Sequence, residues 1–202
     1  MRLLLARHGE TRSNLERRIQ GQLDVPLNHT GRAQAKRLAR RLADEALDGV
    51  IASPLRRAWE TAQTVAAHHA VPLRQDPRLM EICFGQWQGS TWPEVRRGDP
   101  AGWKAWTEDP ATPPPNGESF HQAAGRVQAL LDDLGHEPDR TLLLVGHGGT
   151  LRMFVCLAFG IPVELAGNVA MDNTAVSELL IEERGTVLVR LNDTAHLDDG
   201  GD

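Results

Sequence analysis

The sequence predicts an α/β fold of three layers, a mainly parallel sheet with helices on both faces. Short apolar runs at 2–6, Gly49–Ala52 and 141–145 have the length of buried strands. Between them lie longer stretches whose apolar residues recur at helical spacing. A third observation sets the scale. A chain of 202 residues, 41% hydrophobic and 24% charged, suits one domain, 1–202, with a single core.

The elements follow in order. The run at 2–6 ends at Arg7, His8 and Gly9, a strand entering a loop. Over 30–47, Ala33, Ala35, Leu38, Ala39, Leu42, Ala43 and Leu47 keep a helical period, with Thr30 as the expected N-cap. After the strand Gly49–Ala52, Ser53 and Pro54 suit the N-cap and first position of a helix running through Ala58, Ala62, Val65 and Ala66. The region 79–119 differs: it lacks sustained periodicity, holds four of the five tryptophans and ends in a proline-rich run. It reads as a loop-rich excursion with one or two short helices. A helix resumes through Phe120, Ala123, Val127, Leu130, Leu131 and Leu134. The strand 141–145 then runs straight into Gly146, His147, Gly148 and Gly149, and a further helix follows through Leu151, Phe154, Val155 and Leu157. The runs 177–181 and 186–191 flank a turn ending at Gly185, a closing hairpin. Residues from Asp198 onward are expected to fray.

The bulk properties exclude several classes. A formal net charge of −5 argues against nucleic acid as a partner. No apolar run reaches the roughly 20 residues of a membrane span, and the first residues turn charged too soon for a signal peptide. Cys83 and Cys156 form neither a CxxC pair nor a disulfide framework and are expected as buried thiols, which fits a cytoplasmic protein. His68, His69, His121, His136 and His196 lack metal-ligand spacing and read as surface or structural residues. The sequence requires no metal and no cofactor, and it leaves room for a homodimer.

In a parallel α/β sheet, ligands bind beyond the carboxyl ends of the strands. Arg7-His8, Arg56-Arg57 and His147 all follow expected strands, so they are placed in one crevice. That chemistry suits a phosphate monoester. Arginine forks match phosphate oxygens in pairs, a protonated His147 would add a donor, and neighbouring glycines let backbone N–H groups approach an anion. Gly9 is expected to keep the approach to His8 open. A histidine nucleophile must be unprotonated at one nitrogen, with the other N–H held by an acceptor such as a carbonyl.

The motifs Arg7-His8-Gly9-Glu10-Thr11, Ser53-Pro54-Leu55-Arg56-Arg57-Ala58 and Gly146-His147-Gly148-Gly149, in this order, resemble the histidine phosphatase superfamily, the phosphoglycerate mutase-like group. The resemblance covers nearly the whole chain. It implies a phosphohistidine intermediate on His8, with Arg7, Arg57 and His147 completing the phosphate pocket. It also implies phosphate contacts from Asn14, with Gln20, Gly21 and Gly148 bordering the pocket. Glu81 matches the family's proton donor, and Gln88 stands where the family pattern carries Glu. Glu118 is a second candidate acid, less favoured because Gly117-Glu118-Ser119 reads equally well as a helix N-terminus.

The segment around Glu81 resembles small phosphatases, the broad-specificity, alpha-ribazole and glucosyl-3-phosphoglycerate types among them. The expected activity is therefore metal-independent hydrolysis of a small phosphorylated metabolite. A phosphoglycerate mutase is the main alternative, and a phospho-ligand-binding module without turnover is another. Ile82 and Phe84 are expected to form an apolar wall of the pocket. Trp87, Trp92, Trp103 and Trp106 either line its mouth or pack the excursion onto the body. Arg12, Arg17 and Arg18 either extend a positive mouth or form a solvated face.

Overall fold

The computed structural model describes residues 1–135 and 139–198. His136 and the tail 199–202 lie outside the described residues. A six-stranded sheet carries the molecule, in the order β3-β2-β4-β1-β5-β6. Strands β1 (Arg2–Arg7), β2 (Gly49–Ala52), β3 (Leu73–Gln75) and β4 (Thr141–Gly146) run parallel. Strands β5 (Val176–Glu182) and β6 (Gly185–Asp193) form the expected hairpin and add two antiparallel strands at one side. The sheet is therefore mixed, parallel through its centre.

The period of two along β1 assigns its residues to opposite layers. Leu4 and Ala6 join Leu143 and Val145 under helices α2 (His29–Leu42) and α3 (Arg56–Ala66), against Leu38, Leu42, Ala58 and Val65. Leu3 and Leu5 face the other way with Leu142 and Leu144. Helices α6 (Phe120–Gly135) and α7 (Gly148–Ala158) cover them with Val127, Leu130, Leu151 and Phe154. Because both faces are covered, each parallel strand reads as a continuous apolar run.

Two helix starts differ from the sequence expectation. Helix α2 is capped by Asn28, whose Oδ1 accepts from Gly31 N–H at 2.7 Å, so Thr30 lies inside the first turn. Helix α3 begins at Arg56, two residues later than expected, so its N-cap is Leu55, whose apolar side chain cannot cap it. Strand β3, three residues long and paired only with β2, is too short to leave a periodic signal.

The region 79–119 holds a 3₁₀ turn at Gly85–Trp87, followed by α4 (Trp92–Gly98) and α5 (Pro100–Glu108). Trp87, Trp92, Trp103 and Trp106 pack on one another. Trp106 in turn stacks on Phe120 of α6 at 5.1 Å, which docks the excursion on the body. Among the described residues, no helix is long and apolar enough to cross a membrane.

Candidate active site

Strands β2, β4 and β1 are neighbours in the sheet, so the polar clusters after them meet at one edge. His8 is buried, and its ring centroid lies 5.1 Å from that of His147. His8 Nδ1 lies 2.7 Å from the carbonyl oxygen of Gly9, which can only accept, so the ring proton sits on Nδ1. Arg57 Nε–H donates to His8 Nε2 at 3.3 Å, so Nε2 is unprotonated and its lone pair accepts that bond. Burial, and then the charges of Arg57 and Arg7, hold His8 well below the usual histidine range.

Arg57 is wholly buried, although it begins a helix next to the exposed Arg56. Its other nitrogens donate to Leu23 O at 2.8 Å and Gly21 O at 2.7 Å. Burial pulls its pKa down to about 10, still a cation at neutral pH. Arg7, also lowered by burial, donates Nη1–H to Met171 O at 2.8 Å, while its Nε has no partner among the described residues. His147 Nε2 lies 2.7 Å from Ser53 Oγ, and its buried Nδ1 has no partner among the described residues. Burial, followed by Arg57 and His8, also keeps His147 well below the ordinary range, so the free protein holds it neutral. Two cations and a neutral imidazole thus surround an unprotonated Nε2, an anion-seeking arrangement around a nucleophile.

Glu81 reaches this edge from the excursion. Its carboxylate accepts from Gly149 N–H and Thr150 N–H, both at 3.1 Å, at the start of α7. Gly148 lies against Arg7, 3.5 Å from its Nε when a Cβ is built there.

Comparison with known proteins places the chain in a family. The family model of the histidine phosphatase superfamily (branch 1) matches residues 3–194. The chain belongs to this superfamily. Phosphoserine phosphatase 1 of Hydrogenobacter thermophilus is 33% identical over 98% of this chain and 94% of its own. Glucosyl-3-phosphoglycerate phosphatase of Mycobacterium tuberculosis is 36% identical over 80% of this chain and 77% of its own. The crystal structure of the alpha-ribazole phosphatase from Shigella flexneri superposes with a TM-score of 0.89 at 31% identity, covering 96% of each chain. This histidine phosphatase is accordingly a phosphate monoester hydrolase with the phosphoglycerate mutase-like α/β fold.

The remaining candidates sort by geometry. Asn14 Oδ1 accepts from Thr11 N–H at 3.1 Å, and Thr11 Oγ1 lies 2.8 Å from the buried Gln20 Oε1. Gly21 takes a positive φ of 50°, and Gln88 packs closely over it. Gln88 Oε1 accepts from Gln22 N–H at 2.8 Å, an acceptor role that an amide and a carboxylate share. Gly9 packs against the backbone of Gly31, a close approach that a Cβ would block, rather than opening a path to His8. Ile82 is buried with Ala123, Met153 and Cys156, so it belongs to the core and not to a pocket wall. Cys156 is buried as expected, whereas Cys83 is only half-buried. Arg12 and Arg18 pair with Glu16 on the surface. No group of three or more His, Cys, Asp or Glu residues suited to a metal ion exists among the described residues.

Sequence reasoning missed a clamp on the end of β1 and the Arg7 side chain. Besides the Met171 bond to Arg7, Asn173 Nδ2–H donates to His8 O at 2.8 Å and Thr174 N–H to Arg7 O at 3.0 Å. Thr61 was missed too; it accepts from Gly9 N–H at 3.1 Å and donates to Arg57 O at 2.7 Å. The only trace of the clamp in the sequence is the polar Asn173-Thr174 pair just before β5.

Proposed function

We propose that this histidine phosphatase hydrolyses small phosphate monoesters through a phosphohistidine on His8, without a metal. The observation that carries this reading is the fixed state of His8, with Nδ1–H tied to Gly9 O and the Nε2 lone pair facing Arg57. Attack by Nε2 forms the N–P bond as the ester P–O bond breaks, and the departing oxygen takes a proton from Glu81. Water then gives a proton to Glu81 as its oxygen attacks phosphorus, and the N–P bond breaks. Arg7 and Arg57 neutralise the phosphoryl oxygens and His147 adds a hydrogen bond to them, which removes the need for a cation from solution. Arg7 Nε and His147 Nδ1, each without a partner among the described residues, are suited to that task. Asn14, Gln20, Gly21 and Gly148 border the phosphate.

The substrate class is a small phosphorylated metabolite, since relatives named for phosphoserine and glucosyl-3-phosphoglycerate share the fold. The free thiols Cys83 and Cys156 suit a reducing cytoplasm. We also assign β6 as a homodimer edge. It pairs only with β5, and Val187, Leu188, Val189 and Leu191 are 39–47% exposed along it. An antiparallel copy of the same strand satisfies such an edge with two-fold symmetry.

Rapid-quench assay with an aryl phosphate tests the mechanism. An acid-labile phosphoryl group should appear on His8 and be absent from His8→Ala. Full activity should survive excess chelator. Wild-type turnover by His8→Ala would end the proposal. Isomerisation of 3-phosphoglycerate with a bisphosphate primer, without phosphate release, would make the protein a mutase instead.

A further inference from the structure

The segment from Arg78 to Cys83 carries Glu81 to the site, yet beyond Leu79 it has no regular secondary structure. Its backbone groups therefore need partners from outside the segment. A single ion pair supplies several of them. Arg126, in the second turn of α6, grips Glu118 in a two-pronged pair, Nη2 to Oε1 at 2.7 Å and Nε to Oε2 at 3.1 Å. Both side chains are less than one-fifth exposed. Arg126 also donates to Arg78 O at 2.7 Å and to Glu81 O at 3.2 Å. Glu118 accepts from Cys83 N–H at 2.9 Å, and its own N–H donates to Cys83 O at 2.8 Å. The pair thus holds the acid-bearing segment before, at and after Glu81.

We infer that the Glu118–Arg126 ion pair is the positioning device for Glu81, fixing its backbone so that its carboxyl lies at the start of α7 beside the phosphate site. This rests on the reading of Glu81 as proton donor. The second candidate acid of the sequence, Glu118, then acts through another residue instead of donating the proton itself. Its two oxygens are already engaged by Arg126 and Cys83. The neighbouring contacts complete the hold: Gln22 Nε2–H donates to Glu81 O at 3.0 Å, and Thr150 Oγ1–H to Met80 O at 2.6 Å. Neither of these bonds reaches Cys83 or Arg78, whereas the ion pair binds backbone groups at both ends of the segment.

The test is a double-mutant cycle between Glu81→Gln and Arg126→Met, read as kcat/KM on 4-nitrophenyl phosphate and on an alkyl phosphate, which reports the leaving-group step and not the later hydrolysis common to both. Glu81→Gln should slow the alkyl ester far more than the activated one. Arg126→Met should show the same pattern, with about tenfold or greater selective loss on the alkyl ester. Added to Glu81→Gln, it should cost less than about twofold more. Arg126→Lys, which keeps the charge but loses the fork, should recover part of the rate. Equal losses on both esters from Arg126→Met, or full additivity in the Glu81→Gln background, would overturn the positioning role. Equal losses from Glu81→Gln itself would instead remove the proton-donor reading, and the inference with it. Glu118→Gln repeats the comparison should Arg126→Met fail to fold, since the amide still accepts from Cys83 N–H.

Discussion

Gly149 is packed so closely under Glu81 that a Cβ built on it would lie 2.5 Å from Oε1 and 2.8 Å from Ile82 Cδ1. Both atoms are side-chain ends, so Ala at this position would displace them rather than the backbone. Its place in the first turn of α7 favours Ala over Gly for helix stability. Gly149→Ala should therefore keep or raise the melting temperature while kcat on an alkyl phosphate falls about tenfold or more. Unchanged turnover with the fold intact would show that Glu81 tolerates displacement.

Arg57 should govern the acid side of the pH–rate profile. Its charge is the second cause, after burial, of the depressed His8 pKa. Without it, His8 protonates at higher pH and loses its nucleophilic lone pair sooner. Arg57→Ala should shift the acid limb of kcat/KM upward and lower the plateau by about 10²–10³-fold, the range for a lost charge-stabilising donor. Loss of rate with no shift of the limb would limit Arg57 to binding phosphate.

Stability should fall on mild acidification for a reason specific to this site. His8 and His147 are both held below the ordinary histidine value of about 6.5. Below that pH the unfolded chain binds protons at these two positions that the folded chain does not, so unfolding is favoured as pH drops. Each histidine contributes up to about 1.4 kcal/mol per pH unit, starting near the ordinary value and continuing down to its folded one. Above about pH 7 neither contributes. Urea titrations between pH 7 and 5 should show this slope, reduced in His8→Gln. An identical slope in the variant would mean that His8 is charged in the fold.

The edge of β6 gives a prediction at the level of assembly. Leu188→Lys places a charge on the proposed two-fold contact, a substitution that edge strands use to block pairing. Sedimentation should find a dimer for the wild-type protein and a monomer for the variant, with turnover of an aryl phosphate preserved. A wild-type monomer at tens of micromolar would dismiss the dimer.

The strands and helices of the core were legible because burial on two faces writes itself locally. Leu3, Leu4 and Leu5 form one apolar run, and Ala58, Ala62 and Val65 repeat at helical spacing. Local grammar misled at Ser53, where a serine before proline announces a helix cap. Its hydroxyl instead meets His147, which lies 94 residues further along the chain. The same reasoning made Ile82 a pocket wall, whereas the packing of α6 and α7 draws it into the core.

By itself, the sequence determined the layered α/β core, the order of the polar clusters at the strand ends and the histidine that could attack phosphorus. Each of these is carried by residues close together in the chain. Only the tertiary structure decided which nitrogen of His8 is unprotonated, that Arg57 is buried while Arg56 is exposed, and that Asn173 and Thr174 clamp the backbone of His8 and Arg7. It also decided that Glu118 and Arg126 hold the segment bearing Glu81. These are single hydrogen bonds between distant segments. They leave no period in the sequence, because their partners are chosen by how the layers pack.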